Sequence, residues 1–105
     1  MKSINDINEF YELTDQPKPI LLDFYADWCG PCQTLMPTVE KISHEFQDDI
    51  EVRKVNVDQN RELAAKFGVK SIPSLFFLKG DEILDRTVGL VTVNTLIEKV
   101  NNMIS

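Results

Sequence analysis

Seven consecutive residues, Ile20 to Ala26 (ILLDFYA), place the tightest constraint on how this chain can fold. Apolar side chains occupy both odd and even positions of the run, which predicts a strand buried on both faces. Such a strand needs a covering layer on each side, and the neighbouring sequence offers helices to supply them. Upstream, Asp6 is placed to cap a helix over Ile7 to Leu13. The Asp6/Glu9 spacing fits a capping box, and Ile7, Phe10, Tyr11 and Leu13 form the inner face. Downstream, Pro31 to Phe46 reads as a helix, with Leu35, Val39, Ile42 and Phe46 in a 3.6-residue stripe and Met36 beside it. Pro37 lies inside that helix and predicts a kink.

The rest of the chain extends the same pattern. Lys2 to Ile4 is weakly suited to a short edge strand, and Pro17 and Pro19 bracket a turn. Glu51 to Val57 alternates as a second strand. Asp58 to Phe67 follows as a short helix, with Asn60 as cap and Gly68 as stop. After Pro73, residues 74–88 read as two strands joined at Lys79 to Glu82, an antiparallel hairpin. A last helix runs from Thr92 to Met103 and buries Val93, Leu96, Ile97 and Val100. Strands separated by helices imply a parallel pair with a right-handed crossover, which the hairpin extends. The expected class is α/β, a central mixed β-sheet flanked by helices on both faces. With 105 residues, one domain over 1–105 is expected.

Charge narrows the range of functions. The net charge of −6 disfavours DNA or RNA as a partner, because phosphate binding rests on Lys and Arg. The start, MKSINDINEF, does not read as a signal peptide, and no run approaches the roughly 18 apolar residues of a membrane span. Neither nucleic acid nor membrane is expected as a partner, and the expected location is cytoplasmic.

The chain has only two cysteines, Cys29 and Cys32, in the segment DWCGPCQ between the Ile20–Ala26 strand and the following helix. A bond between them would close too short a loop to stabilise the fold appreciably, so the pair reads as chemistry. Cys29 falls near the helix N-cap and Cys32 within its first turn. Unpaired N–H groups there favour a thiolate, and the Cα separation of about 5 Å suits a disulfide. Pro31 costs nothing in a first turn, and Gly30 leaves the sulfur accessible. Cys29 is then the exposed nucleophile and Cys32 the deeper, resolving thiol. Half a zinc or iron–sulfur site uses the same spacing. With no second cysteine pair and His44 as the one histidine, neither a metal nor any other cofactor is expected.

WCGPC after this strand, a Pro-interrupted helix, and Ile72-Pro73 before a hairpin together resemble the thioredoxin family over essentially the whole chain. The resemblance implies a thioredoxin-like fold and general protein disulfide reduction, with Cys29 attacking and Cys32 resolving. Asp23 is either functional or outward-facing at an edge when read from the run alone. The resemblance makes it the buried proton acceptor for Cys32. Lys54 reads by itself as part of a solvated face, whereas the resemblance sets it near Asp23. It also implies a cis Ile72–Pro73 bond facing the dithiol, whose neighbouring backbone pairs with substrate main chain. Trp28, Ile72, Val88 and Gly89 match the family's shallow apolar surface around the reactive sulfur. The implied partners are disulfide-containing proteins and a flavoprotein thioredoxin reductase, with the chain acting as a monomer.

Three departures from the family pattern stand out. Tyr25 stands where Trp is frequent, Gln33 where Lys or Arg is usual, and Gly80-Asp81 replaces Asn-Gly at the hairpin. A disulfide oxidase or isomerase is the same-chemistry alternative, and Pro31 beside Cys32, where oxidising relatives place His, argues against it. A binding subunit recruited through Trp28 and a metal-bridged dimer are the alternatives from other classes.

Overall fold

A computed structural model describes residues 1–105. Its elements in chain order are β1 (Lys2–Ser3), α1 (Ile7–Thr14), β2 (Ile20–Tyr25), α2 (Gly30–Glu45), β3 (Glu51–Asn56), α3 (Arg61–Lys66), β4 (Ser74–Lys79), β5 (Glu82–Val88) and α4 (Val93–Ile104). The sheet order is β1-β3-β2-β4-β5. β3 runs parallel to β1 and β2, while β4 is antiparallel to β2 and β5. The expected mixed sheet is present, with β2 at its centre.

Alternation along β2 divides the core in two. Ile20, Leu22 and Phe24 face the layer of α1 and α3, where they meet Phe10, Leu13, Leu63 and Phe67. Leu21 faces α2 and α4, and meets Leu35, Val39, Ile42, Leu96 and Val100. Edge and tilted ring contacts join Phe24, Phe67 and Phe76 at 4.9–5.4 Å between centroids, a geometry that suits aromatic quadrupoles.

Several boundaries differ from the sequence expectation for local reasons. Asp6 caps α1 by accepting from the Glu9 N–H at 2.9 Å, but Glu9 reaches back to the Asn5 N–H and not to that of the cap. α3 begins at Arg61, three residues later than expected. The Asn56 side chain accepts from the backbone N–H of Asp58 and Gln59 and holds those residues in a turn. Asn60 occupies the cap position without a capping bond, because its side chain donates to the Asn56 carbonyl instead. α2 continues through Pro37. On α4, Val93 and Ile97 are half-buried, and Met103 joins Leu96 and Val100 in the core.

The hairpin turn is resolved by its glycine. Gly80 has φ 59° and Asp81 does not adopt positive φ, the sign pattern of a type II′ turn, which places glycine first. β5 is the outer strand and is exposed along nearly its whole length. Charged side chains blunt it, as suits an unpaired edge. Asp85 pairs with Lys99 of α4 at 2.6 Å, and the Arg86 guanidinium lies 5.0 Å from the Phe76 ring.

The central strand should dominate stability. Replacing Phe24 with Ala is expected to cost about 3–5 kcal/mol in urea denaturation, by lost burial and an unfilled cavity. Ile83→Ala on the outer strand should change stability by about 0.5 kcal/mol or less.

Candidate active site

β2 ends at Tyr25, and after three intervening residues the chain enters α2 through Cys29. The Cys29 N–H bonds the Ala26 carbonyl at 3.2 Å, which closes the turn. Cys29 is the N-cap of α2, and its sulfur accepts from the Cys32 N–H at 3.2 Å. Cys29 and Cys32 form a disulfide with their Cα atoms 5.2 Å apart, as first-turn spacing predicts. Gly30 and Pro31 fill the first two helical positions and are exposed. A Cβ at Gly30 would meet nothing within 4 Å, so the free chain does not itself require glycine there.

The two sulfurs differ in access, though less than expected. Cys29 is 5% exposed and Cys32 1%, so the expectation of an openly exposed Cys29 is corrected to a mostly covered residue. Ala26 completes their cluster, and Tyr25, Val57 and Ile72 pack around it. The Cys29 sulfur lies 3.9 Å from the Ile72 carbonyl oxygen. The Ile72–Pro73 bond is cis, and Pro73 is buried. The Pro73 carbonyl accepts from the Gly89 N–H at 2.8 Å, which brings the Val88–Gly89 segment beside it, with Gly89 at φ 85°.

Asp23 is 1% exposed, and neither carboxylate oxygen has a hydrogen-bond partner. The outward-facing alternative is excluded. Asp23 shares the face of Leu21, which α2 covers, and in the β2–β3 register it is paired with Lys54. Burial pushes its carboxyl up from 3.8 to about 7, and the Lys54 charge offsets part of that rise. Lys54 also sits 5.7 Å from the centre of the Tyr25 ring, and Tyr25 packs on the cysteine cluster. Lys54 therefore stands opposite Asp23 in the sheet register and beside the Tyr25 ring.

Trp28 is 73% exposed, and Val88 is exposed as well. The indole N–H donates to an Asp58 carboxylate oxygen at 2.8 Å. Sequence reading missed Asp58, together with Asn56, whose turn positions it. The Asn56-Val57-Asp58 pattern at a strand end was the available signal. It also missed Leu90, a 58% exposed apolar residue next to Gly89. Gln33, which stands where the family usually has Lys or Arg, folds back and donates to the Asp27 carbonyl at 3.3 Å. No three His, Cys, Asp or Glu side chains cluster closely enough to hold a metal ion. None of the surface cavities is lined by Cys29, Cys32, Trp28 or Pro73.

A family model described as Thioredoxin matches residues 2–102. The thioredoxin of Rickettsia typhi is 36% identical to this chain, with 99% of each covered. That of Rickettsia bellii is 42% identical, with 89% of each covered. Among solved structures, Fasciola hepatica thioredoxin superposes with a TM-score of 0.90 at 33% identity, over 98% of this chain and 99% of that one. Malassezia sympodialis thioredoxin (Mala s 13) gives 0.91 at 29% identity, over 100% and 91%.

Asp23 makes stability depend on pH in a defined direction. Its carboxyl binds a proton more tightly in the folded chain than in the unfolded one. The resulting stabilisation is complete below about pH 4 and is lost as pH rises through 7. In the oxidised protein, where the cysteines do not titrate, Asp23→Asn should match the wild type near pH 4. Above pH 8 it should be more stable by up to about 4 kcal/mol. Urea denaturation at a series of pH values measures this, and a constant difference across pH would contradict it.

Proposed function

This chain belongs to the thioredoxin family, and from that premise we propose how its residues divide the work of disulfide reduction and what serves the site. The chain is a protein-disulfide oxidoreductase and electron donor acting through a reversible Cys29–Cys32 disulfide. In the proposed cycle the Cys29 thiolate attacks one sulfur of a substrate disulfide. A mixed disulfide forms, and the other substrate sulfur leaves as a thiolate. Cys32 gives its proton to Asp23 and then attacks the Cys29 sulfur. That step forms the Cys29–Cys32 disulfide and releases the second substrate thiolate, so two electrons have passed to the substrate.

The single observation that carries this reading is the Cys29 sulfur at the α2 N-cap. The Cys32 N–H points at it, and the Ile72 carbonyl lies 3.9 Å away. A helix start supplies fixed partial positive charge where the thiolate forms, with no rearrangement during reaction. Asp23 suits proton exchange near neutrality because burial holds its carboxyl at about 7. Lys54 limits that rise and thereby tunes Asp23.

Substrates are proposed to be proteins with accessible disulfides. No surface cavity encloses the mostly covered Cys29 as a small-ligand pocket would, while Trp28 and Val88 are exposed apolar residues. Gly30 and Pro31 leave the approach open. Ile72, Pro73 and Gly89 are proposed to offer backbone and apolar contact to an extended peptide, which tolerates many sequences. A flavoprotein thioredoxin reductase is proposed to return the electrons, with the chain working as a monomer in the cytoplasm. A disulfide reductant needs a compartment that keeps its own thiols reduced, and a charge of −6 opposes self-association.

Insulin reduction driven by dithiothreitol tests the assignment of roles. Cys29→Ser should abolish turnover, whereas Cys32→Ser should accumulate a mixed disulfide through Cys29 that mass spectrometry detects. Asp23→Asn should slow release of that intermediate at pH 7 by about tenfold or more while leaving the first attack intact. A mixed disulfide through Cys32 in the Cys29→Ser variant, at the wild-type rate, would reverse the roles.

A further inference from the structure

Asn56 lies at the end of β3, 6% exposed, and every polar atom of its side chain is engaged. Its Oδ1 accepts from the Asp58 N–H at 2.9 Å and from the Gln59 N–H at 3.3 Å. Backbone N–H groups can only donate, so this fixes which end of the amide faces them. The Nδ2 is then turned toward the Asp27 carboxylate, 3.4 Å away. Asp58, held by that turn, accepts the Trp28 indole N–H at 2.8 Å. One buried amide therefore grips both residues of the Asp27-Trp28 pair that precedes the nucleophile, Asp27 directly and Trp28 through Asp58.

This arrangement addresses a specific physical problem. Trp28 is 73% exposed, so burial does little to hold its ring. An exposed side chain that must be ordered on binding loses rotamer freedom at that moment, and a pre-positioned one does not. We propose that Asn56 is a positioning residue for substrate recognition, which fixes the Trp28 indole beside Cys29 through the Asp58 turn before a protein substrate arrives. It touches neither substrate nor sulfur. This inference rests on Trp28 being a substrate contact, as proposed above.

The consequence is a split between substrates. A protein disulfide lies across Trp28 and depends on its placement, whereas a small aromatic disulfide such as 5,5′-dithiobis(2-nitrobenzoate) needs little beyond the sulfur. Asn56→Ala should raise the KM for insulin by about fivefold, the scale of losing one useful interface contact. The rate with the small disulfide should stay within about twofold of wild type, the spread of a neutral substitution. Time-resolved anisotropy of Trp28, the single tryptophan, should gain a fast component. Asn56→Ser keeps a hydroxyl acceptor for the same N–H groups and adds no charge beside Asp27, so it should restore part of the KM for insulin. Asp58→Ala, which breaks the Trp28 bond without altering Asn56, should reproduce the rise in KM even if Asn56→Ala does not fold.

Trp28→Ala separates the two layers of the argument. If it raises the KM for insulin while Asp58→Ala and Asn56→Ala do not, positioning by Asn56 is overturned and the role of Trp28 stands. If Trp28→Ala leaves the KM unchanged, both fall. Parallel losses with insulin and the small disulfide in Asn56→Ala, without rescue by Asn56→Ser, would show a purely structural residue and overturn the proposal.

Discussion

At the start of α2 the Cys29 sulfur accepts the Cys32 N–H at 3.2 Å, in a position that helices usually fill with a Ser, Thr, Asp or Asn oxygen. The same atom thus caps a helix and reacts. What keeps it there is the packing on either side. β2 is buried on both faces and fixes the point from which the chain leaves the sheet. Leu35, Val39 and Ile42 clamp α2 against Leu21, Leu75 and Phe77 and fix the direction of the helix. The turn between them has three residues, too few for Cys29 to wander.

The same central strand carries the buried acid. An unpartnered carboxylate in a core is expensive, and Asp23 has no hydrogen bond to either oxygen. The fold tolerates it because the proton can stay on near neutrality and because Lys54 stands opposite in the neighbouring strand. Stability is given up at the central strand of the sheet, which is buried on both faces. Within the proposed cycle that loss is the source of a proton acceptor matched to neutral pH.

The elements of the sheet were legible because their signals are local: apolar runs, a 3.6-residue stripe, and glycine and proline stops. Cys29 and Cys32 were equally plain, since helix-start spacing suggests redox chemistry once no second cysteine pair is present to complete a metal site. Asp23 was visible as an anomaly, a charge inside an apolar run, but its burial needed the sheet around it. Lys54 was ambiguous because strand alternation does not say what stands in the next strand. The cis Ile72–Pro73 bond came only from family resemblance, since proline at a strand start is otherwise unremarkable. Asn56 and Asp58 were missed because they act through a turn that looked like the first residues of a helix. Leu90 was missed because its setting depends on the Gly89–Pro73 bond, which no sequence period encodes.

If this site makes a reductant, the reduction potential of the Cys29–Cys32 pair shows it most directly. The pair would be equilibrated in dithiothreitol redox buffers and read through Trp28 fluorescence. A reductant of this family should titrate at about −270 mV, typical of thioredoxins. A value above roughly −200 mV, in the range of disulfide-forming and isomerising proteins, would contradict it.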